Sequence, residues 1–189
     1  MFECSLGRFS FSLSAFPTSY SILVFLELFR KHHGEARVVL PLLKTIDMLL
    51  NRGCLERLTS EESLFYVSLL DHLAIESTSC RDVKRLTAII SVSTGLIGSV
   101  RTSQKALSLA CSLLTHEFPR VRSLSAEKLY VRLLETDPEL GEDHTAVKLL
   151  LEHDWESDGN LAEIHCEVTK TFEIDDGISS STTSTSNLQ

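Results

Sequence analysis

Residues 116–134 read HEFPRVRSLSAEKLYVRLL, and the fold class turns on how this stretch packs. Pro119 opens a helix, a place where its missing N–H costs little because the first helical turn has donors without intrahelical acceptors. At about 100° per residue, Ala126, Leu129, Tyr130, Leu133 and Leu134 share one broad face, while Val121, Leu124 and Val131 fall on another. A helix that is apolar on two faces needs neighbours on two sides. A helical-repeat stack supplies them, one from the helix's own pair and one from the next repeat. An inner helix of a compact bundle would carry the same pattern, so the rest of the chain has to decide.

Upstream, helical periodicity sets in at Ser21. ILVFLELFRKHH forms a short apolar helix stopped by Gly34, and RVVLPLLKTIDMLLNRG forms a second, stopped by Gly53. Its stripes are Val39, Leu43, Ile46 and Leu50 with Val38, Leu42 and Leu49 beside them, and Pro41 lies one turn inside, where it can kink the helix. Thr59 to Glu62 offers capping-box spacing for a helix from Ser60 to about Ser77, with Leu64, Phe65, Leu69, Leu70 and Leu73 inward. Asp82 is placed to open the next, with Val83, Leu86, Ile89 and Ile90 inward and Gly95 and Gly98 loosening its end. Ser99 to Leu114 makes another, and the opening stretch follows it.

Beyond Pro138, Asp143 is a candidate cap for AVKLLLEH, and Asn160 with Glu163 for LAEIHCEVTKTF. Trp155, between them, reads as a lid over the end of the core. The eight helices pair off from Ser21, Ser60, Arg101 and Asp143, at intervals close to the roughly 40 to 47 residues of a HEAT or armadillo unit. The expected fold is therefore all-α, a HEAT/armadillo-like helical-repeat solenoid of about four antiparallel helix pairs spanning 21–172. Residues 1–20 form an atypical leader that alternates Phe and Ser without helical spacing. Residues 173–189 form a Ser/Thr-rich tail with too little apolar content to fold.

Composition narrows the function. A hydrophobic fraction of 43% in 189 residues supports one sizeable core. The net charge of −8 is uneven, with a net of +4 over 1–134 and −12 over 135–189. No basic run or basic and aromatic cluster points to nucleic acid. The apolar run at Ile22 to Leu26, closed by Glu27 and Arg30, is far shorter than the roughly 18 residues a membrane span needs, and Glu3 and Pro17 spoil a signal peptide, so no membrane insertion is expected. Cysteines at 4, 54, 80, 111 and 166 lack zinc or CxxC spacing and read as reduced thiols.

No catalytic constellation emerges. His32-His33, Asp71-His72, Asp143-His144, His153-Asp154 and His165-Cys166 are sequence neighbours, which point about 100° apart on a helix and so make no shared site by themselves. HExxH, GxSxG and GxxxxGK[ST] are absent. The expectation is a non-enzymatic protein without cofactor, metal or catalytic residues, whose partner-contacting residues the sequence leaves unknown. Two readings stand as alternatives: a generic HEAT-like interaction adaptor, or a small helical hydrolase or metal protein using histidines that no motif groups.

RVVLPLLKTIDMLLNRGCLERL (37–58), DVKRLTAIISVSTGLIG (82–98) and RTSQKALSLACSLLTHEFPRVRSLSAEKLYVRLLE (101–135) resemble the carboxy-terminal region of the tubulin-folding cofactor D family, also called tubulin-specific chaperone D. The likeness runs weakly on through AVKLLLEHDWE, covering about 22–160, whereas 1–20 do not resemble the family. The resemblance implies a scaffold that assists β-tubulin capture and assembly or disassembly of the αβ-tubulin heterodimer. Its implied partners are β-tubulin, tubulin-folding cofactors E and C and an Arf-like small GTPase, whose GTP hydrolysis the family promotes together with cofactor C. The implied location is the cytoplasm, with the cytoskeleton and centrosome as further sites. In such repeats a Pro-x-Val-Arg entry starts the inner helix, which assigns Arg122 to polar groups across the stack rather than to a partner.

Overall fold

The computed structural model describes residues 18–55, 64–78, 80–98, 102–137 and 144–174. Among these every regular element is helical: α1 (Thr18–Lys31), α2 (Ala36–Asn51), α3 (Leu64–Thr78), α4 (Val83–Gly95), α5 (Ser103–Ser112), a 3-10 turn (Leu113–Thr115), α6 (Pro119–Thr136), α7 (Thr145–Glu152) and α8 (Leu161–Thr171). The expected all-α class is what the chain adopts. Most of the leader, the Thr59–Glu62 capping box, the Asp143 cap and the tail beyond Ile174 lie outside the described residues.

The helices form two layers. α2 packs on α4 and α4 on α6, while α1 packs on α3 and α3 on α5, so each helix touches its own pair partner and the corresponding helix of the next pair. The apolar stripes explain the order. Val39, Leu42, Leu43 and Ile46 of α2 are buried, and α4, in the middle, buries Leu86, Ile89, Ile90 and Val92 together with Arg85, Ser93 and Thr94. α4 lies between α2 and α6 in its own layer and meets both α3 and α5 in the other.

The fourth pair departs from this alternation. α7 packs on α6 and α8 on α5 and the 3-10 turn, so here the second helix of the pair, not the first, extends the α1–α3–α5 layer. Ala146, Val147 and Leu150 face α6 from a helix of only eight residues, and Val168 of α8 is fully buried. The Gln104 amide donates to the Glu173 carbonyl at 3.0 Å, so the chain is held against α5 just past α8.

Several local expectations hold. Gly34 and Gly53 both take positive φ, 80° and 64°, the left-handed geometry that ends a helix with no Cβ penalty. Asp82 caps α4, its carboxylate accepting the Lys84 N–H at 2.9 Å. Others are corrected. Asn160 precedes α8 but makes no side-chain cap; it sits at φ 55°, so its use there is tolerance of the left-handed region. The helix expected over Ser99–Leu114 is α5, Ser103–Ser112, tightened into a 3-10 turn at its end.

The two separate faces expected of residues 116–134 are in fact one wide arc. Val121, Arg122, Ser125, Ala126, Leu129 and Leu133 are buried, spanning about 140° of α6, while Val131 is 45% exposed. Neighbours do lie on two sides, α4 on one and α7 on the other. The arc is completed by polar residues that a hydrophobic pattern passes over. Ser125 is fully buried because its hydroxyl donates to the Ala110 carbonyl of α5 at 2.8 Å, where two small residues let the helices approach closely.

Candidate interaction face

Three buried or half-buried arginines fix the geometry of the stack. Arg122, 2% exposed, donates from Nε to the Trp155 carbonyl at 2.8 Å and from Nη1 to the His116 carbonyl at 3.0 Å. Its Nη2 reaches the carbonyls of Glu156 and Ser157, each at 3.2 Å, and Asp158 Oδ1 at 2.9 Å. One guanidinium thus joins the turn before α6 to the connection between α7 and α8. Its planar fork of five donors suits a ring of carbonyls better than the compact Lys ammonium would. Trp155 closes this end, buried, with its indole N–H donating to the Leu150 carbonyl at 3.0 Å. The lid expected of Trp155 and the structural role expected of Arg122 are both found.

His116 shares this joint. Its Nδ1 accepts the Phe118 N–H at 3.1 Å, so the neutral ring carries its proton on Nε2. Burial holds its pKa below the ordinary 6.5, and the nearby Arg122 charge pushes the same way against the opposing pull of Glu117.

Glu76 organises the other end. Its carboxylate, almost wholly buried, accepts the Gly34 N–H at 2.7 Å and an Arg85 Nη1 hydrogen at 3.2 Å, while Arg85 Nε lies 3.0 Å from the Cys80 sulfur. The α1–α2 turn, α3 and α4 meet at this one ion pair. A buried acid with its partners in place is tolerated, and without them it is costly.

The third arginine, Arg132, lies on the open face of the α2–α4–α6 layer. Asp47 and Asn51 of α2, Ser91, Thr94 and Gly95 of α4, and Lys128, Val131, Arg132 and Glu135 of α6 enclose a cleft of about 200 Å³. Arg132 donates to the Gly95 carbonyl and to Glu135, each at 3.2 Å. Its Nε is buried with no acceptor. Gly98 lies beneath it, and a Cβ there would come within 2.9 Å of Arg132 Nη2, so the end of that side chain would have to shift. Small hydroxyl side chains on α4 make the floor, and mixed charges on the flanking helices make the walls. The cleft is therefore lined by polar groups of mixed charge.

The histidines singled out in the sequence are dispersed. His33 approaches Glu76 at 3.8 Å, His72 stacks on Phe29, His144 on Phe172, and His153 meets Trp155 edge-on. Among the described residues no three His, Cys, Asp or Glu side chains are gathered to hold a metal ion. No helix of those described is long and apolar enough to cross a membrane. The described cysteines, 54, 80, 111 and 166, are free thiols. Sequence reasoning missed Glu76, because its partners lie 42 and 9 residues away, and missed the cleft, because it draws single residues from three helices.

No solved structure matches the chain. The family model described as tubulin folding cofactor D C terminal matches residues 21–85, which are α1, α2, α3 and the first turn of α4. The matched segment holds the Glu76–Arg85 pair and the α2 wall of the cleft, and contains 37–58, the first of the three stretches that carry the resemblance, whereas most of 82–98 and all of 101–135 lie beyond it. Over residues 21–85 this chain is similar to the carboxy-terminal region of tubulin folding cofactor D.

Proposed function

We propose that the chain is a non-enzymatic, HEAT/armadillo-like helical-repeat scaffold that assists β-tubulin capture and the assembly or disassembly of the αβ-tubulin heterodimer. The observation that carries this reading is the family match over 21–85, which falls on α1, α2, α3 and the first turn of α4 in a two-layer stack. The open α2–α4–α6 face supports a docking role. It crosses three helices that pack side by side, and its cleft is lined by polar and charged side chains of all three. The partners belonging to this reading are β-tubulin, tubulin-folding cofactors E and C and an Arf-like small GTPase, met in the cytoplasm and at the cytoskeleton or centrosome. GTP hydrolysis in such a cycle belongs to tubulin or the GTPase, with this chain acting through contact.

The test is co-precipitation of β-tubulin, αβ-tubulin, cofactor E and the small GTPase by the immobilised chain, with folding verified by circular dichroism. Retention of tubulin or a cofactor supports the proposal. A folded sample that retains none of them refutes it.

A further inference from the structure

His116 stands where the supports of the last helix pair meet. The 3-10 turn Leu113–Thr115, on which α8 packs, ends at this residue, whose N–H donates to the Leu113 carbonyl at 3.3 Å. The His116 carbonyl accepts Arg122 Nη1 at 3.0 Å, and the rest of that guanidinium holds the α7–α8 connection through Trp155, Glu156, Ser157 and Asp158. The ring closes the turn on itself, Nδ1 accepting the Phe118 N–H at 3.1 Å just ahead of Pro119, the first residue of α6. Only a neutral imidazole can accept there.

We infer that protonation of His116 unlatches the α7–α8 pair from the rest of the stack. An imidazolium has two donors and no acceptor, so the Phe118 N–H at the start of α6 loses its partner. The new charge lies at a helix N-terminus, where the dipole disfavours a cation, and close to the Arg122 guanidinium. Glu117 is the opposing charge, but it is exposed and shared with Arg81 at 3.5 Å, and Asp158 across the joint is paired with Arg122. As the turn opens, its carbonyl leaves Arg122 and the anchor of the α7–α8 connection loosens with it. Burial holds the docked ring below its ordinary 6.5, so the undocked turn binds a proton that the docked one refuses. Release is therefore least above pH 6.5 and grows as pH falls through 6.5 toward the lower docked value, by at most about tenfold per pH unit for one proton. His144, stacked on Phe172, and His153, edge-on to Trp155, are the ionisable rings carried by the pair itself. Because α7 covers α6 and α8 covers α5, the result is a stack whose α5–α6 end is closed near neutral pH and opened by mild acid. This inference is independent of tubulin binding.

Amide hydrogen exchange of the full chain at pH 7.5 and pH 5.5, corrected for intrinsic exchange rates, reads the release directly. The expected result is that α7 and α8 are less protected than α4 at both pH values, and that their protection falls about twofold to tenfold at the lower one. His116→Asn, which keeps an acceptor for the Phe118 N–H, should abolish that fall, while His144→Gln and His153→Gln should each leave it in place. Protection of α7 and α8 equal to that of α4 overturns the proposal, since the pair would then open only with the whole chain. So does protection that does not change with pH, a fall that survives in His116→Asn, or one that vanishes in either of the other two variants. If His116→Asn already lacks protection in α7 and α8 at pH 7.5, Glu117→Gln decides. Removing the charge that favours the protonated docked ring should enlarge the fall, and an equal or smaller fall overturns the proposal.

Discussion

Replacing Arg122 tests the joint between the last two helix pairs. In Arg122→Ala the carbonyls of Glu156 and Ser157 and the Asp158 carboxylate, all on exposed residues, regain water, whereas the carbonyl of buried Trp155 and that of half-buried His116 lose their donor. Each stranded buried acceptor costs about 1–3 kcal/mol. Lost packing of the buried side-chain stem adds to this, and relief of the guanidinium's own desolvation subtracts from it. The expected destabilisation is about 4 kcal/mol, roughly a thousandfold in the unfolding equilibrium at 1.4 kcal/mol per decade. Asp158→Ala should cost under about 1 kcal/mol, because that carboxylate is 90% exposed and its pairing is screened by solvent. Arg122→Lys should fall between, keeping the charge but losing the fork. Trp155 is the only tryptophan, so urea titration followed by its fluorescence reads the joint directly. An Arg122→Ala midpoint within about 1 kcal/mol of wild type would refute the reasoning, as would Asp158→Ala costing as much as Arg122→Ala.

Three further outcomes follow from the same packing. Val121→Asp, at a site 1% exposed, should abolish cooperative unfolding by burying an unpaired charge, while Arg120→Ala, on the exposed side, should stay within about 0.5 kcal/mol of wild type in thermal melts. His116 is held below its ordinary pKa when folded, so the unfolded chain binds the extra proton. Its share of stability is complete above pH 6.5 and is lost as pH falls through 6.5 toward the lower folded value. His116→Asn, which keeps an acceptor for the Phe118 N–H, should shrink the stability difference between pH 7.5 and pH 5.5 in paired urea titrations, and an unchanged difference would remove His116 as its source. Gly34→Ala meets no atom within 4 Å but sits at φ 80°, so a cost of about 1–2 kcal/mol is expected from backbone strain alone, read as a shift of the urea midpoint.

The all-α class and much of the pairing were legible from leucine periodicity, since helix stripes report which side must be buried. Helix stops were legible where a single residue type is demanded, as at Gly34 and Gly53. The reversed sense of the last pair was not, because periodicity counts helices without saying which layer each one joins. The arc of α6 was misjudged for a related reason. Arg122 and Ser125 are polar by type and buried by partnership, and their partners sit 33 to 36 residues downstream and 15 upstream. The cleft was illegible because its walls come from three helices, each contributing ordinary surface residues.

The central claim is that a folded helical stack, rather than an unfolded apolar chain, engages tubulin. It is tested most directly by measuring αβ-tubulin and β-tubulin retention on immobilised wild-type chain beside Val121→Asp at equal loading. The expected result is saturable retention by wild type and none above background by Val121→Asp. Absence of retention by folded wild-type chain, or equal retention by both, would contradict it.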